Sequence, residues 1–450
     1  MSAMSSGQSL ADLARAAGVV GAGGAGFPTH VKLAGQADTV IANGAECEPL
    51  LHKDTLLMTH RAAEVVRGMA LSMATVGASK GLIGIKKKRA DAIEALRAAL
   101  PADGSIDLLL LGDFYPTGDE YDLVYTATGR LIPPGGIPLN VGAVVHNVES
   151  LLWLAEAADG RPVTEKWLTV TGAVASPKTF TTPVGTPFSA LLEFCGGATV
   201  PDPVAMVGGA MMGRISDDFG QPVTKTTGAL IILDRSHPLI QRKVLPNESK
   251  RRIGKSACDQ CSYCTELCPR YLLGYDVQPH KVMRSLGFLS TGADIQNQWG
   301  QMCCACGVCT LYSCPESLFP KVACDDAKVA LREAGIKWEG TGRELKPHAN
   351  YEHRRLPVKK LVKRLGLEVY DVPAPFVTEQ PSATRFAYPL SQHVGAPATA
   401  CVAVGDRVRC GQVVGELPEG KLGARVHAAV DGVVVEVSSQ VVIERSGGNE

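Results

Sequence analysis

The chain reads as a multidomain α/β and α+β protein. Three observations predict this. Strand-like and helix-like stretches alternate through residues 1–160, the signature of a parallel sheet covered by helices. Nine of the 14 cysteines crowd between Cys258 and Cys314. Short β-branched runs punctuated by glycine fill residues 386–445, the pattern of an all-β module.

In order along the chain, Leu10–Ala17 has helical spacing and Asp38–Ala42 is a short apolar strand ending at Asn43-Gly44. Leu57, Val65, Met69 and Met73 predict one helix over Asp54–Thr75. Gly81–Ile85 predicts a strand, Ala90–Leu100 a helix, and Ile106–Leu111 (IDLLLL) a strand buried on both faces. Asp119–Ala127 and Val148–Ala158 read as helices. Residues 165–235 form a small α+β unit, with strands at Trp167–Val174 and Ala229–Leu233 around the helix Pro187–Phe194. Residues 236–256 read as a basic linker. The cysteine domain covers 245–335 and ends on the helix Lys321–Ala334. Residues 336–385 read as a second, charged linker.

Composition excludes several roles. Forty-five Lys and Arg balance 45 Asp and Glu, for a formal net charge of zero. A dedicated nucleic-acid binder needs a large basic surface. No apolar run approaches the ~20 residues of a membrane helix. The N-terminus lacks a basic stretch leading into an apolar one, so the expected location is the cytoplasm.

A dense cysteine cluster in such a chain points to metal rather than disulfides. Cys258-x2-Cys261-x2-Cys264-x3-Cys268-Pro269 matches the two-cluster bacterial ferredoxin run. A second run, Cys303-x2-Cys306-x2-Cys309-x4-Cys314-Pro315, follows with one extra residue. In such pairs the cysteine before proline serves the other cluster. The spacing therefore implies one 4Fe–4S cluster on Cys258, Cys261, Cys264 and Cys314, and another on Cys303, Cys306, Cys309 and Cys268. Cys304 is either a bystander or a substitute for Cys303. Structural zinc on paired motifs accounts less well for eight cysteines in two triplets plus Cys-Pro. Cys47, Cys195, Cys324, Cys401 and Cys410 read as packed thiols.

Gly21-Ala22-Gly23-Gly24-Ala25-Gly26 contains GxGxxG, a weak signal here because a helical segment precedes it instead of a strand. Its company strengthens it. Lys32 offers a cation to a phosphate, and Asn43-Gly44-Ala45-Glu46-Cys47-Glu48-Pro49 lies at a strand end, where α/β proteins bind ligands. Tyr115-Pro116-Thr117-Gly118-Asp119-Glu120 and His146-Asn147-Val148-Glu149 also follow strand-like runs. Asn43 and Asn147 offer donors and acceptors to a flavin edge. His146 reads equally as a flavin neighbour or a packed histidine.

GAGGAGFPTHVK, NGAECEP, YPTGDE and HNVES resemble, in order, the flavin domain of the NADH-oxidising subunit of respiratory complex I. They resemble more closely the RnfC family of Rnf-type electron-transport proteins. That resemblance implies a Rossmann-like FMN domain (1–160), a soluble-ligand-binding β-grasp domain (165–235) and a helical iron–sulfur domain. It implies FMN contacts at Gly21, Gly23, Lys32, Asn43, Glu46, Tyr115, Gly118, Glu120 and Asn147. It places nicotinamide near Phe27 and Glu48, the two candidate catalytic residues. Ala45 replaces an acidic residue of the complex I motif, which removes that contact. Val207–Gly213 is similar to the family's own β-grasp loop.

The C-terminal runs around His393–Pro397, Val404–Val408 and Val426–Gly432 resemble a barrel-sandwich hybrid, the fold of biotinyl and lipoyl carriers. Lys421 is the sole lysine between Gly411 and Gly432 and lacks a carrier context, so the module reads as structural. With this module last, the order resembles the cobalamin reductases of propanediol-utilisation microcompartments. The implied chemistry is electron transfer from NADH through FMN and two 4Fe–4S clusters to cobalamin. The implied partners are a corrinoid adenosyltransferase and a microcompartment shell. The alternative is an electron-transfer component of an Rnf-type membrane complex. The basic runs Lys86–Arg89 and Arg354–Arg364 read as solvated faces or linkers, with docking of an acidic partner or of NADH phosphates as the sharper option.

Overall fold

The computed structural model describes residues 8–287, 296–337 and 340–446. Strands β1 (Thr39–Gly44), β2 (Lys80–Lys86), β3 (Ile106–Leu111) and β5 (Ala143–Asn147) form a parallel sheet in the order β3-β2-β1-β5. Two-residue β4 (Phe114–Tyr115) lies outside it. Helices α1 (Leu10–Ala16), α2 (Thr29–Lys32), α3 (Lys53–His60), α4 (Ala62–Val76), α5 (Ala90–Ala99), α6 (Glu120–Thr128) and α7 (Val148–Ala158) accompany the sheet. Val40, Ile83, Met69 and Leu151 are sealed between sheet and helices. The strand order reverses direction between β1 and β5, so their carboxyl ends form the crevice where open α/β sheets bind ligands.

Two details differ from the sequence reading. β3 is an edge strand, with Asp107 exposed and Leu110 39% accessible, because only β2 flanks it. The long helix over Asp54–Thr75 breaks at Arg61 (φ −130°, ψ 34°). There the guanidinium bonds Glu64 on the next turn and Glu156 on α7, each at 2.7 Å.

The second unit is a five-stranded sheet of β6 (Glu165–Gly172), β7 (Lys178–Pro183), β8 (Pro203–Val207), β9 (Arg214–Ser216) and β10 (Ala229–Asp234), in the order β7-β6-β10-β8-β9, with helix α8 (Phe188–Phe194). The basic stretch that follows is no linker. It folds as helices Pro238–Val244 and Asn247–Ala257. Its cations serve as ties: Arg242 donates to the carbonyls of Thr310 (2.7 Å) and Leu318 (3.0 Å), and Lys243 to those of Met211 and Gly213.

Residues 340–385, within the second expected linker, are likewise a packed strap. β11 (Leu356–Pro357) pairs antiparallel with β4. The helix Val358–Arg364 then buries Leu361 and Val362, and Leu365 and Leu367 join them against β8 and β10. Farther on, Phe376 stacks on Trp167 at 4.8 Å. The apolar positions are masked in sequence by the lysines and arginines between them.

The C-terminal module is a sandwich of two sheets, β12-β18-β17-β14 and β13-β15-β16. Its strands are β12 (Arg385–Pro389), β13 (Thr399–Ala400), β14 (Arg407–Val408), β15 (Val413–Glu416), β16 (Val426–His427), β17 (Gly432–Val437) and β18 (Gln440–Arg445). Phe386, Tyr388, Val414, Val434 and Ile443 fill its interior. Lys225, 3% accessible, pins three units together. From the β-grasp unit its ammonium donates to Gly18 O (2.8 Å) beside the first sheet and to Arg425 O (2.6 Å) in the barrel. Burial without a carboxylate lowers its pKa to about 7.

Lys225 is open to test in two ways. Lys225→Met leaves two carbonyls without their donor, at a cost of about 1–3 kcal/mol each, read as a lower melting temperature. Between pH 7 and its ordinary 10.5 the unfolded lysine holds a proton that the folded one lacks, so wild-type stability gains as pH rises through that window. The melting-temperature gap between wild type and Lys225→Met should therefore change with pH in that direction; a gap constant across the window would sink the idea.

Candidate functional site

The crevice at the sheet's switch point is built from the four motifs. Asn43 and Asn147 sit side by side in the β1–β5 register. Asn43 Nδ2 donates to Gly118 O at 2.9 Å, and its Oδ1 accepts from Ala45 N. Asn147 Nδ2 donates to Asp54 Oδ2 at 3.1 Å, while its Oδ1 caps α7 by accepting from Glu149 N at 2.9 Å. Gly118 lies so close that a Cβ there would stand 3.2 Å from Asn43 Oδ1. Lys32 reaches the same strand ends, donating to Val145 O at 2.8 Å and lying 3.6 Å from Glu120.

The glycine loop closes on itself through Gly21 N to Phe27 O (2.8 Å) and Gly26 N to Gly21 O (3.2 Å). Gly24 needs its glycine, since it lies at φ +111°. Gly23 and Gly24 are exposed, and Phe27 is half-buried. Ser150 Oγ accepts from Ala22 N at 2.9 Å, which fastens the loop to the first turn of α7. Val394 N of the barrel donates to Gly26 O, closing the loop's other end.

Beneath the loop lies a buried charge network that the sequence reading missed. Lys53 Nζ meets Asp54 at 2.6 Å and Glu149 at 3.0 Å. Glu149 also pairs with Lys166 and accepts from Trp167 N at 3.1 Å. Burial pushes the Glu149 carboxyl up, but Lys166 and Lys53 outweigh it and hold it below its usual range. Burial lowers Lys166 to about 8, against the pull of Glu149. A glutamate on an otherwise apolar helix turn (Val148, Leu151, Leu152) was the available signal. His146 resolves as packed: it is buried against Ser72 Oγ at 3.1 Å, and burial drives its pKa to about 3.

Three of the expected contact residues are engaged elsewhere. Glu46, at φ +38°, accepts from Asp54 N (2.7 Å) and Thr55 Oγ1 (2.6 Å), capping α3. Glu48 accepts from the backbone of Met211 (2.8 Å) and Met212 (2.9 Å), tying the crevice domain to the β-grasp loop, and burial raises its carboxyl. Tyr115 is buried, and its hydroxyl donates to Cys306 O at 2.7 Å. That last contact joins the crevice domain to the second cysteine run. Beside it, Arg270 pairs with Asp119 at 2.9 Å and lies 3.5 Å over the Tyr121 ring.

Cys258, Cys261, Cys264 and Cys314 line one small shared cavity. Cys268, Cys306 and Cys309 are buried, and Cys268 lies within electrostatic reach of Cys303 and Cys304. The two runs share a backbone signature. Gln260 and Ser262 are left-handed, two and four residues after Cys258; Ala305 and Gly307 repeat this after Cys303. That register aligns Cys303 with Cys258 and Cys304 with Asp259. Gln260 Nε2 donates to Cys258 Sγ at 3.2 Å and Ala305 N to Cys303 Sγ at 3.3 Å. Cys304 lies within electrostatic reach of Cys306 and Cys268, and Cys324 within reach of Cys303. Among the remaining thiols, Cys195 and Cys324 are buried, Cys47 is half-buried, and burial pushes Cys47 up to about 12. Cys401 and Cys410 are exposed, contrary to expectation, because they sit on the loop-rich edge of the small barrel.

Comparison with known proteins finds a family match for four of these units. Residues 14–156 match the Nuo51 FMN-binding domain, 168–215 the SLBB domain, 257–319 a 4Fe–4S dicluster domain and 374–450 the RnfC barrel sandwich hybrid domain. The chain is 44% identical over 429 residues to the cobalamin reductase PduS of Salmonella typhimurium, covering 95% of this chain and 94% of that one. It is 41% identical over 436 residues to PduS of Citrobacter freundii, covering 97% and 96%. A component of the Na(+)-translocating ferredoxin:NAD(+) oxidoreductase complex of Acetobacterium woodii is 39% identical over 262 residues, covering 57% of this chain and 56% of its own. An FMN-type crevice joined by a buried seam to a dicluster domain makes this chain a flavin and iron–sulfur electron-transfer reductase, and it belongs to the PduS family of cobalamin reductases.

Proposed function

We propose that the chain draws electrons from NADH and passes them to the cobalt of cobalamin. The observation that carries this is the seam between crevice and cysteines, where Tyr115 bonds Cys306 and Asp119 pairs with Arg270, in a chain so similar to the PduS proteins. One NADH yields NAD⁺, a proton and two electrons, enough to reduce two cob(III)alamins to cob(II)alamin.

The residues present fit the cofactors. Lys32 supplies a cation for a flavin phosphate, and a Cβ on exposed Gly24 would meet nothing within 4 Å, so that stretch of backbone is open to a ligand. Gly21, Gly23, Asn43, Gly118, Glu120 and Asn147 complete the cradle, with Phe27 as the nicotinamide's neighbour. Glu46, Glu48 and Tyr115 act at one remove, by holding α3, the β-grasp loop and the cysteine run in place. FMN, when bound, takes a hydride as an electron pair and releases electrons singly, as clusters require.

The shared cavity supports Cys258, Cys261, Cys264 and Cys314 as one ligand set. The repeated left-handed residues support Cys303, Cys306 and Cys309, with Cys268, as the other. The second set lies against the flavin-type domain, while Cys261 of the first faces solvent. Among the described residues no helix is long and apolar enough to cross a membrane. A corrinoid adenosyltransferase is the natural consumer of the reduced product, and a propanediol microcompartment the setting that the PduS name suggests.

Three measurements test this reading. Anaerobic NADH oxidation with cob(III)alamin, followed through the corrin spectrum, should show corrin reduction by the FMN- and iron-loaded protein; none would remove the acceptor assignment. Cys303→Ser should lose about half of the iron while Cys304→Ser keeps it, and the reverse pattern would exchange their roles. Glu149→Gln leaves Lys53 and Lys166 short of a carboxylate, at a cost of about 3–5 kcal/mol. It should lower the melting temperature and release FMN on gel filtration; wild-type behaviour in both would mean that the network does not anchor the loop.

A further inference from the structure

A second concave feature lies beside the solvent-side cysteine set. It is an open groove of about 590 Å³. On one wall stand Tyr263, the neighbour of Cys264 and 53% accessible, and Tyr312 and Pro315, which flank Cys314. On the other, the helix Val358–Arg364 presents Lys360, Lys363 and Arg364, all exposed. The preceding arginines are neutralised, Arg354 by Glu266 at 3.2 Å and Arg355 by Glu352 at 2.9 Å. Lys360, Lys363 and Arg364 have no carboxylate partner among the described residues.

We propose that this groove seats the corrinoid acceptor, its phosphodiester tail against Lys360 and Lys363 and its corrin edge against Tyr263 and Tyr312. The proposal rests on the reading of cobalamin as substrate. Small-molecule sites span about 300–1,000 Å³, and this groove falls inside that range while staying open to solvent, which lets a large macrocycle rest in it with part of its face exposed. Three uncompensated cations concentrate an anion locally. The tyrosines, with Leu267 and Pro315, supply the apolar contact that a flat ring needs. The ligand would lie next to the backbone of Cys264 and Cys314, without any opening of the fold.

The test uses the full-length, iron- and FMN-loaded protein under anaerobic conditions. Equilibrium dialysis with hydroxocobalamin reads binding directly, and steady-state reduction reads KM and kcat separately. The double variant K360E/K363E should bind about tenfold more weakly and raise KM with little effect on kcat, a penalty that shrinks in high salt. Cobinamide, which lacks the phosphodiester tail, should bind wild type and double variant alike. Tyr263→Ala, at an exposed position, should weaken both corrinoids. Unchanged binding and KM in both variants, with wild-type iron content and active wild type, would overturn the groove and leave the cobalamin reading intact. A wild type that neither binds nor reduces cobalamin would overturn that reading first.

Discussion

Two ammoniums and two carboxylates buried together, Lys53, Asp54, Glu149 and Lys166, are the constraint on which the rest of the structure turns. Each charge alone would be untenable at that depth, and any one removed strands its partner. The four come from three elements: α3, α7 and β6. The network therefore locks the flavin-type sheet to the β-grasp sheet in one arrangement. It also reaches the crevice twice. Asp54 orients the Asn147 amide, and Lys166 extends to Ala22 O at 3.4 Å under the glycine loop. The loop's shape is thus set from below by electrostatics and from its outer end by the barrel.

The same logic governs the seam toward the cysteines. Tyr115 and Asp119 come from one loop of the crevice domain and contact the cysteine runs at Cys306 and Arg270. Arg270 is buried, paired with Asp119 and stacked over Tyr121. The cationic helix that precedes the cysteine domain behaves alike. Arg242 and Lys243 donate to the backbone carbonyls of Thr310, Leu318, Met211 and Gly213. What composition suggests as charged spacer is hydrogen-bonding mortar between units.

Periodicity exposed the parallel sheet and its helices because their apolar faces are regular. The crevice motifs were legible as motifs, and the strand ends do bring Asn43, Gly118 and Asn147 together. Their partners were not legible, since Glu46 turns back to cap the next helix, while Glu48 and Tyr115 direct their polar atoms to backbone 163 and 191 residues away. The strap at 340–385 was misread for a physical reason. Leu361, Val362 and Leu365 are too few, among Lys359, Lys360, Lys363 and Arg364, to stand out from a solvated run. Lys225 gave no signal, because a lysine bonded to two backbone carbonyls has no partner that sequence could reveal. Spacing alone left Cys303 and Cys304 both open, and the repeated left-handed residues add only that Cys303 aligns with Cys258.

Three residues in the cysteine runs that are not glycine, Gln260, Ser262 and Ala305, hold left-handed conformations. Each costs about 1–2 kcal/mol relative to an ordinary backbone, and the cysteines they position are otherwise a crowd of thiols, with burial opposing ionisation at Cys264 and Cys309. Such a segment has little reason of its own to keep this shape. Iron is then an assembly component as much as a conductor: filling the two sites converts strain into order. In an iron-poor cell this domain would mature last and be the first handed to proteases, so the supply of reductase would track the supply of the metal it runs on.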